Sequence, residues 1–103
     1  MELLEFKKIL DAIGLPVAYR NFSDGAKVAP PFLIYYVDEE IIYYADDCNY
    51  HLQNQYVVEL YVDKKAPQIE NQLEQAFIEN RLPYSKSEVY IPSERMLEII
   101  YSI

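Results

Sequence analysis

The residue types best suited to chemistry lie close together at Asp46, Asp47, Cys48 and His51. Two carboxylates, a thiol and an imidazole are metal-ligand types, and Cys48 and His51 are three positions apart. A structural zinc site takes about four ligands, usually from two such pairs. The chain has one Cys and one His, so a second pair does not exist. The segment reads as a polar loop with an incidental thiol, or as a weak divalent-cation site at Asp46 and Asp47. Asp38, Glu39 and Glu40 could supply paired carboxylates for acid–base work. That work needs a carboxyl whose pKa is raised by burial or a partner. Three adjacent acids in a turn read instead as a solvated hairpin tip. Ser23, Asp24 and Gly25 lack the glycine spacing of a phosphate loop. Any Ser–His–Asp set must use His51, which no motif surrounds. The expectation is a protein that is not an enzyme and needs no cofactor and no metal.

What the chain has instead is surface. It carries eleven Tyr and seventeen Asp+Glu in 103 residues, with a formal net charge of −8. Phosphate binding needs clustered Lys and Arg, so direct nucleic-acid binding is not expected, and an anionic membrane is disfavoured for the same reason. No apolar run approaches the roughly 20 residues of a spanning helix. The acidic N-terminal stretch does not read as a signal peptide. One Cys cannot form an internal disulfide, so synthesis in a cytoplasm is the default. Hydrophobic content of 51% is ordinary for a folded chain, and the length suits one domain, residues 1–103.

Several elements must position these residues. Leu3, Phe6, Leu10 and Ile13, widened by Ile9, make an apolar stripe at helical spacing over 2–13. Gly14 and Pro16 end it. Val17 to Phe22 reads as a short strand, and Pro30-Pro31 precedes a strong strand over Phe32–Val37. The acids at 38–40 then predict a turn, with Ile41–Tyr44 as the returning strand and 45–49 as a second polar break. Tyr56–Val62 alternates, with Tyr56, Val58, Leu60 and Val62 on one face and Val57, Glu59 and Tyr61 on a partly wet one. Pro67 opens a helix over 67–80. Its apolar stripe is Ile69, Leu73, Ala76 and Phe77, and Glu70, Glu74 and Glu79 are expected outward. Tyr84–Ile91 and Arg95–Ile103 read as strands around a turn at Pro92-Ser93-Glu94, with the apolar pattern tying the last residue into the sheet. The order is helix, about four strands, helix, two strands. It predicts an α+β fold, a mainly antiparallel sheet with both helices packed on one face.

Tyr35-Tyr36 and Tyr43-Tyr44 must each place one ring on either side of the sheet. Outward tyrosines either cover the sheet beside a helix, form cross-strand pairs, or serve an assembly surface. A sheet face left uncovered by helices favours the last.

Taken in order, GLPVAYRNF, APPFLIYYVD, NQYVVELYVDKKAPQIENQLEQAF and EVYIPSERMLEIIYSI resemble a family of small prophage proteins from Gram-positive bacteria. The likeness runs from about Gly14 to the end and lies in whole-chain texture. Such proteins resemble the tail terminator, or tail completion, proteins of long-tailed bacteriophages. The resemblance implies an α+β fold in this element order. It also implies a homo-oligomeric, commonly hexameric, ring that caps the tail tube and performs head–tail joining. The implied partners are other copies of the chain, the major tail-tube protein and head-neck proteins. The implied location is the virion, after synthesis in the host cytoplasm. A ring requires a heterologous, closing contact, and an acidic lumen would let DNA pass without sticking. From strand position, Tyr35, Tyr43 and Tyr61 are candidate subunit contacts. Glu39, Glu40, Asp46 and Asp47 are candidate loops facing the lumen or a partner ring. Two alternatives stand beside this reading: a head–tail connector of the same virion, and a small acidic module that binds or inhibits a basic protein.

Overall fold

A computed structural model describes residues 2–22, 28–44 and 50–103, with backbone alone for 39–44 and 50–54. The element order is helix α1 (Leu3–Asp11), strands β1 (Val17–Tyr19), β2 (Phe32–Tyr44) and β3 (Tyr50–Val62), helix α2 (Pro67–Glu79), then strands β4 (Ser85–Ile91) and β5 (Met96–Ser102). The strands form one sheet in the order β1-β2-β3-β5-β4. Three neighbouring pairs are antiparallel and β1–β2 is parallel. The fold is the expected α+β arrangement.

Both helices lie on the same side. The register sets Leu33 beside Leu60 and Leu60 beside Ile99. It sets Tyr35 beside Val58 and Val58 beside Tyr101. These residues form one core with Phe6 and Leu10 of α1 and Leu73 and Phe77 of α2. Aromatic rings seal the join between the helices: Phe6 stacks on Tyr56 at 4.3 Å between centroids and lies parallel to Phe77 at 6.5 Å. Fully burying each such side chain contributes on the order of 1.5–3 kcal/mol. The local stops work as the residue types require. Gly14 has φ +91 just past α1, a left-handed position that suits glycine. At the end of α2 the Leu82 amide donates to the Phe77 carbonyl. The β4–β5 connection turns at Pro92, where the Arg95 amide donates to the Pro92 carbonyl. The Ile103 amide donates to the Tyr56 carbonyl, so the last residue is tied to the sheet as its apolar pattern suggests.

The central hairpin departs from the sequence expectation. Asp38–Glu40 is not a turn. Strand β2 continues through it to Tyr44, with a register shift between Val37 and Glu39. The acids are absorbed by this irregularity, which takes one extra residue on the bulged strand. Ile41–Tyr44 is therefore the continuation of β2 and not a returning strand, and among the described residues three strands, where about four are expected, separate the helices. Beyond the reach of β1 and β5, residues 39–44 pair, among the described residues, with 50–55 alone, as a two-stranded extension of the sheet.

Candidate functional site

Two clusters of carboxylates and tyrosines flank this sheet, one on each side. The first lies between α2 and the edge strand β4. Glu70 and Glu74 stand one helical turn apart on α2. Strand β4 turns Lys86 and Glu88 to the helix side, opposite Tyr101 and Ile99. Lys86 Nζ reaches Glu70 Oε1 at 2.7 Å and Glu74 Oε2 at 2.8 Å. Lys65, just before α2, lies 3.0 Å from Glu70 Oε2 and 2.6 Å from Glu88 Oε1. The Tyr84 and Tyr101 hydroxyls donate to Glu74 at 3.0 and 2.8 Å. Lys86 Nζ also sits 5.8 Å from the centre of the Tyr101 ring. Burial, the largest influence, pushes Glu70 and Glu74 upward, but hydrogen bonds from the ammonium groups, and from the tyrosines at Glu74, outweigh it and hold both below the usual range.

This cluster corrects one expectation. Glu70 was expected outward, yet it is 2% exposed. A strand edge carrying Lys86 covers that side of the helix, so the carboxylate is buried in an ion pair. Helical spacing alone could not separate an outward Glu from one facing a lysine strand.

The second cluster lies on the face of the sheet opposite α1 and α2, which carries no helix among the described residues. Phe32, Ile34 and Tyr36 from β2 face this way, with Val57, Glu59 and Tyr61 from β3 and Glu98 and Ile100 from β5. Phe32 stacks on Tyr61 at 4.9 Å, and Phe22 meets the edge of Phe32 at 5.4 Å. The Tyr61 hydroxyl lies 2.9 Å from Glu98 Oε2 and 3.1 Å from Glu59 Oε1. The Tyr36 hydroxyl makes a long 3.5 Å contact to Glu59 Oε2. A phenol has one proton, so Tyr61 cannot donate to both carboxylates at once. Among the described residues neither Glu59 nor Glu98 makes an ion pair. Burial and then the adjoining Glu98 raise Glu59 above the usual carboxylate range. Arg20 lies over the Tyr36 ring at 5.3 Å and donates to the Val37 carbonyl, at the margin of the cluster.

The tyrosines divide across the sheet as their pairing requires. Tyr36 is on the helix-free face. Tyr35 is turned into the core, 4% exposed, packed against Tyr19 and Phe6; it does not stand outward as its candidacy for a subunit contact assumed. Tyr61 does stand on the helix-free face, held by its two carboxylates. Tyr43 is placed only by backbone, opposite His51 in the register. The side chains of Glu39, Glu40, Tyr43 and His51, and all of Asp46, Asp47 and Cys48, lie outside the described residues. Among the described residues no three His, Cys, Asp or Glu gather as metal ligands, and no helix is long and apolar enough to cross a membrane. Glu98 was missed from the sequence: it joins Glu59 only through β3–β5 pairing, and no local signal marks it.

No protein-family model matches this chain, and no curated protein matches it significantly in sequence.

Proposed function

We propose that this protein is a virion assembly protein of a long-tailed phage, of the tail terminator kind. It would form a ring that caps the tail tube and joins it to the head. The reading rests on the ordered segments from GLPVAYRNF to EVYIPSERMLEIIYSI. The single observation that supports it is the element order: helix, three strands, helix, two strands, with both helices on one face of a mainly antiparallel sheet. The resemblance implies such a fold. The protein then works by surface complementarity and not by catalysis. Its partners are other copies of itself, the tail-tube protein and the head-neck proteins, and its destination is the virion.

Two parts of the chain suit assembly physically. The helix-free face combines aromatic rings with polar groups, as interface cores do. The ribbon of 39–44 and 50–55 extends past the other strands. The test is light scattering after size exclusion, followed by electron microscopy with tail tubes. A ring near six subunits, or capped tube ends on mixing, is expected. A monomer that leaves tube ends open and unlabelled would overturn the reading.

A further inference from the structure

Strand β4 stands at the end of the sheet, paired with β5 on one side. Among the described residues no backbone group outside the β4–β5 hairpin bonds to it. Alternate residues of such a strand direct amide and carbonyl groups outward, where they can bond another strand. Native edges are usually blunted by proline, a bulge or charges standing over the edge. Residues 85–91 contain no proline, and their register with β5 runs unbroken from Ser85 beside Ser102 to Ile91 beside Met96. The two charges of the strand are drawn inward, Lys86 to Glu70 and Glu74, and Glu88 to Lys65. Residues 85–90 are all exposed. Of the five large hydrophobic side chains that stand exposed among the described residues, three gather at this edge. Val89 and Tyr90 lie on the strand itself, 44% and 58% exposed. Ile78 is one turn beyond Glu74 on the stripe of α2 that meets β4, at the end of the edge where Tyr84 leads into the strand.

We propose that the free edge of β4 pairs antiparallel with the β4 edge of a second copy of this chain, about a twofold axis at Ser87. A bare backbone edge is filled by an extended strand, and the residues of β4 complement their own reverse. Opposed side chains must share a face of the joined sheet, so the axis passes through a residue and not between two. An axis at Lys86 or at Glu88 sets like charges opposite one another. An axis at Val89 sets Lys86 against Pro92 and pairs no charge with its opposite. The axis at Ser87 sets Lys86 beside Glu88 of the second copy, twice over. It also sets Val89 beside Ser85, and Tyr90 beside Tyr84, of the second copy, so both exposed side chains of the strand are covered. The two five-stranded sheets then join edge to edge with the helices of both copies on one side. The net charge of −8 on each copy opposes approach at long range, but it is screened beyond about 8 Å at physiological ionic strength, and the edge itself offers opposite charges. Such a contact is isologous and closes on itself. It builds a pair and not a ring, so it goes beyond the assembly reading, whose heterologous contact uses another surface.

The test is a thiol at the axis. Ser87→Cys in a Cys48→Ser background places two thiols on directly opposed residues, within reach of a disulfide. Mild oxidation of the full chain should link most of it into covalent pairs on a non-reducing gel. Ser93→Cys in the same background, in the exposed turn after β4, is the control and should stay at the mass of one chain. Val89→Lys sets a charge on the edge without touching the ion pairs of Lys86 and Glu88. It should raise the dissociation constant of the pair, read by light scattering on dilution, about tenfold or more. Circular dichroism should show the same fold in every variant. No linking at Ser87, equal linking at Ser87 and Ser93, or a dissociation constant that Val89→Lys leaves unchanged would overturn the proposal. These outcomes are separate from tail capping. A six-membered ring that caps tubes, with no link at Ser87, would keep the assembly reading and sink this one. Linked pairs that leave tube ends open would do the reverse.

Discussion

Glu70 and Glu74 on the helix side, and Glu59 and Glu98 on the other, are two versions of one arrangement. Each is a carboxylate pair within reach of tyrosine hydroxyls, partly withdrawn from water by the same sheet. They are nonetheless driven in opposite directions, Glu70 and Glu74 downward and Glu59 upward. The difference is a cation. Burial penalises the charged form in both places; Lys86 and Lys65 reverse it at Glu70, and Lys86 with the Tyr101 and Tyr84 hydroxyls reverses it at Glu74. The comparison separates a structural device from a surface with unmet electrostatic demand. A completed ion-pair network fastens an edge strand to a helix. The uncompleted one leaves two carboxylates on either side of a single tyrosine hydroxyl within an aromatic face.

Breaking the completed side should give the largest effect. Lys86→Met removes the group that touches both Glu70 and Glu74, leaving a buried carboxylate with Lys65 alone. Removing one partner of a buried pair costs about 3–5 kcal/mol. Lys86 is 35% exposed at its side chain, so about 2 kcal/mol is expected in chemical denaturation. Tyr101→Phe comes next. Its fully buried hydroxyl donates to Glu74, and loss of a hydrogen bond to a charged group costs about 1.5 kcal/mol. Tyr61→Phe on the other face should cost less, about 0.5 kcal/mol, because its one proton is contested by two acids. Equal losses at Tyr61 and Tyr101 would erase the distinction between the faces.

The smallest effects should have the opposite sign. Glu98→Gln at neutral pH removes a like charge beside Glu59, and a gain of about 0.5 kcal/mol is expected in the same assay. The pH dependence follows from the directions. Glu59 is raised in the folded chain, so the penalty of its charged form is fully present above that raised value. It is relieved as pH falls toward the ordinary 4.5. Glu70 and Glu74 are lowered, so their contribution is fully present above 4.5 and is lost as pH falls through their folded values. Stability should therefore rise as pH falls toward 4.5 in the wild type, a rise that Glu59→Gln lacks, and below 4.5 it should fall more steeply in the wild type than in Glu70→Gln.

The contrast also marks how far the sequence could be read. Alternation along Tyr56–Val62 and Leu97–Ile103, and the Leu73–Phe77 stripe, placed the core and the side on which both helices pack. These patterns are local and have one solution when a face is buried. The acids at 38–40 misled because a solvated turn and a wet, bulged strand have the same composition when neither Gly nor Pro marks the bend. Glu70 looked like any outward helix residue, since Lys86 meets it from 16 positions later in the chain. Glu59 was readable as a residue on a wet face, whereas its partnership with Glu98 depends on which strands become neighbours. Pairs made by topology carry no local spacing, and both clusters are of that kind.

The most direct measurement is a side-chain carboxyl NMR titration of the four glutamates in the full chain. Glu59 is expected to titrate above 4.5, with Glu70 and Glu74 below it. A Glu59 that titrates at or below 4.5 in the free protein would mean that its face already holds its cation, and would contradict the comparison.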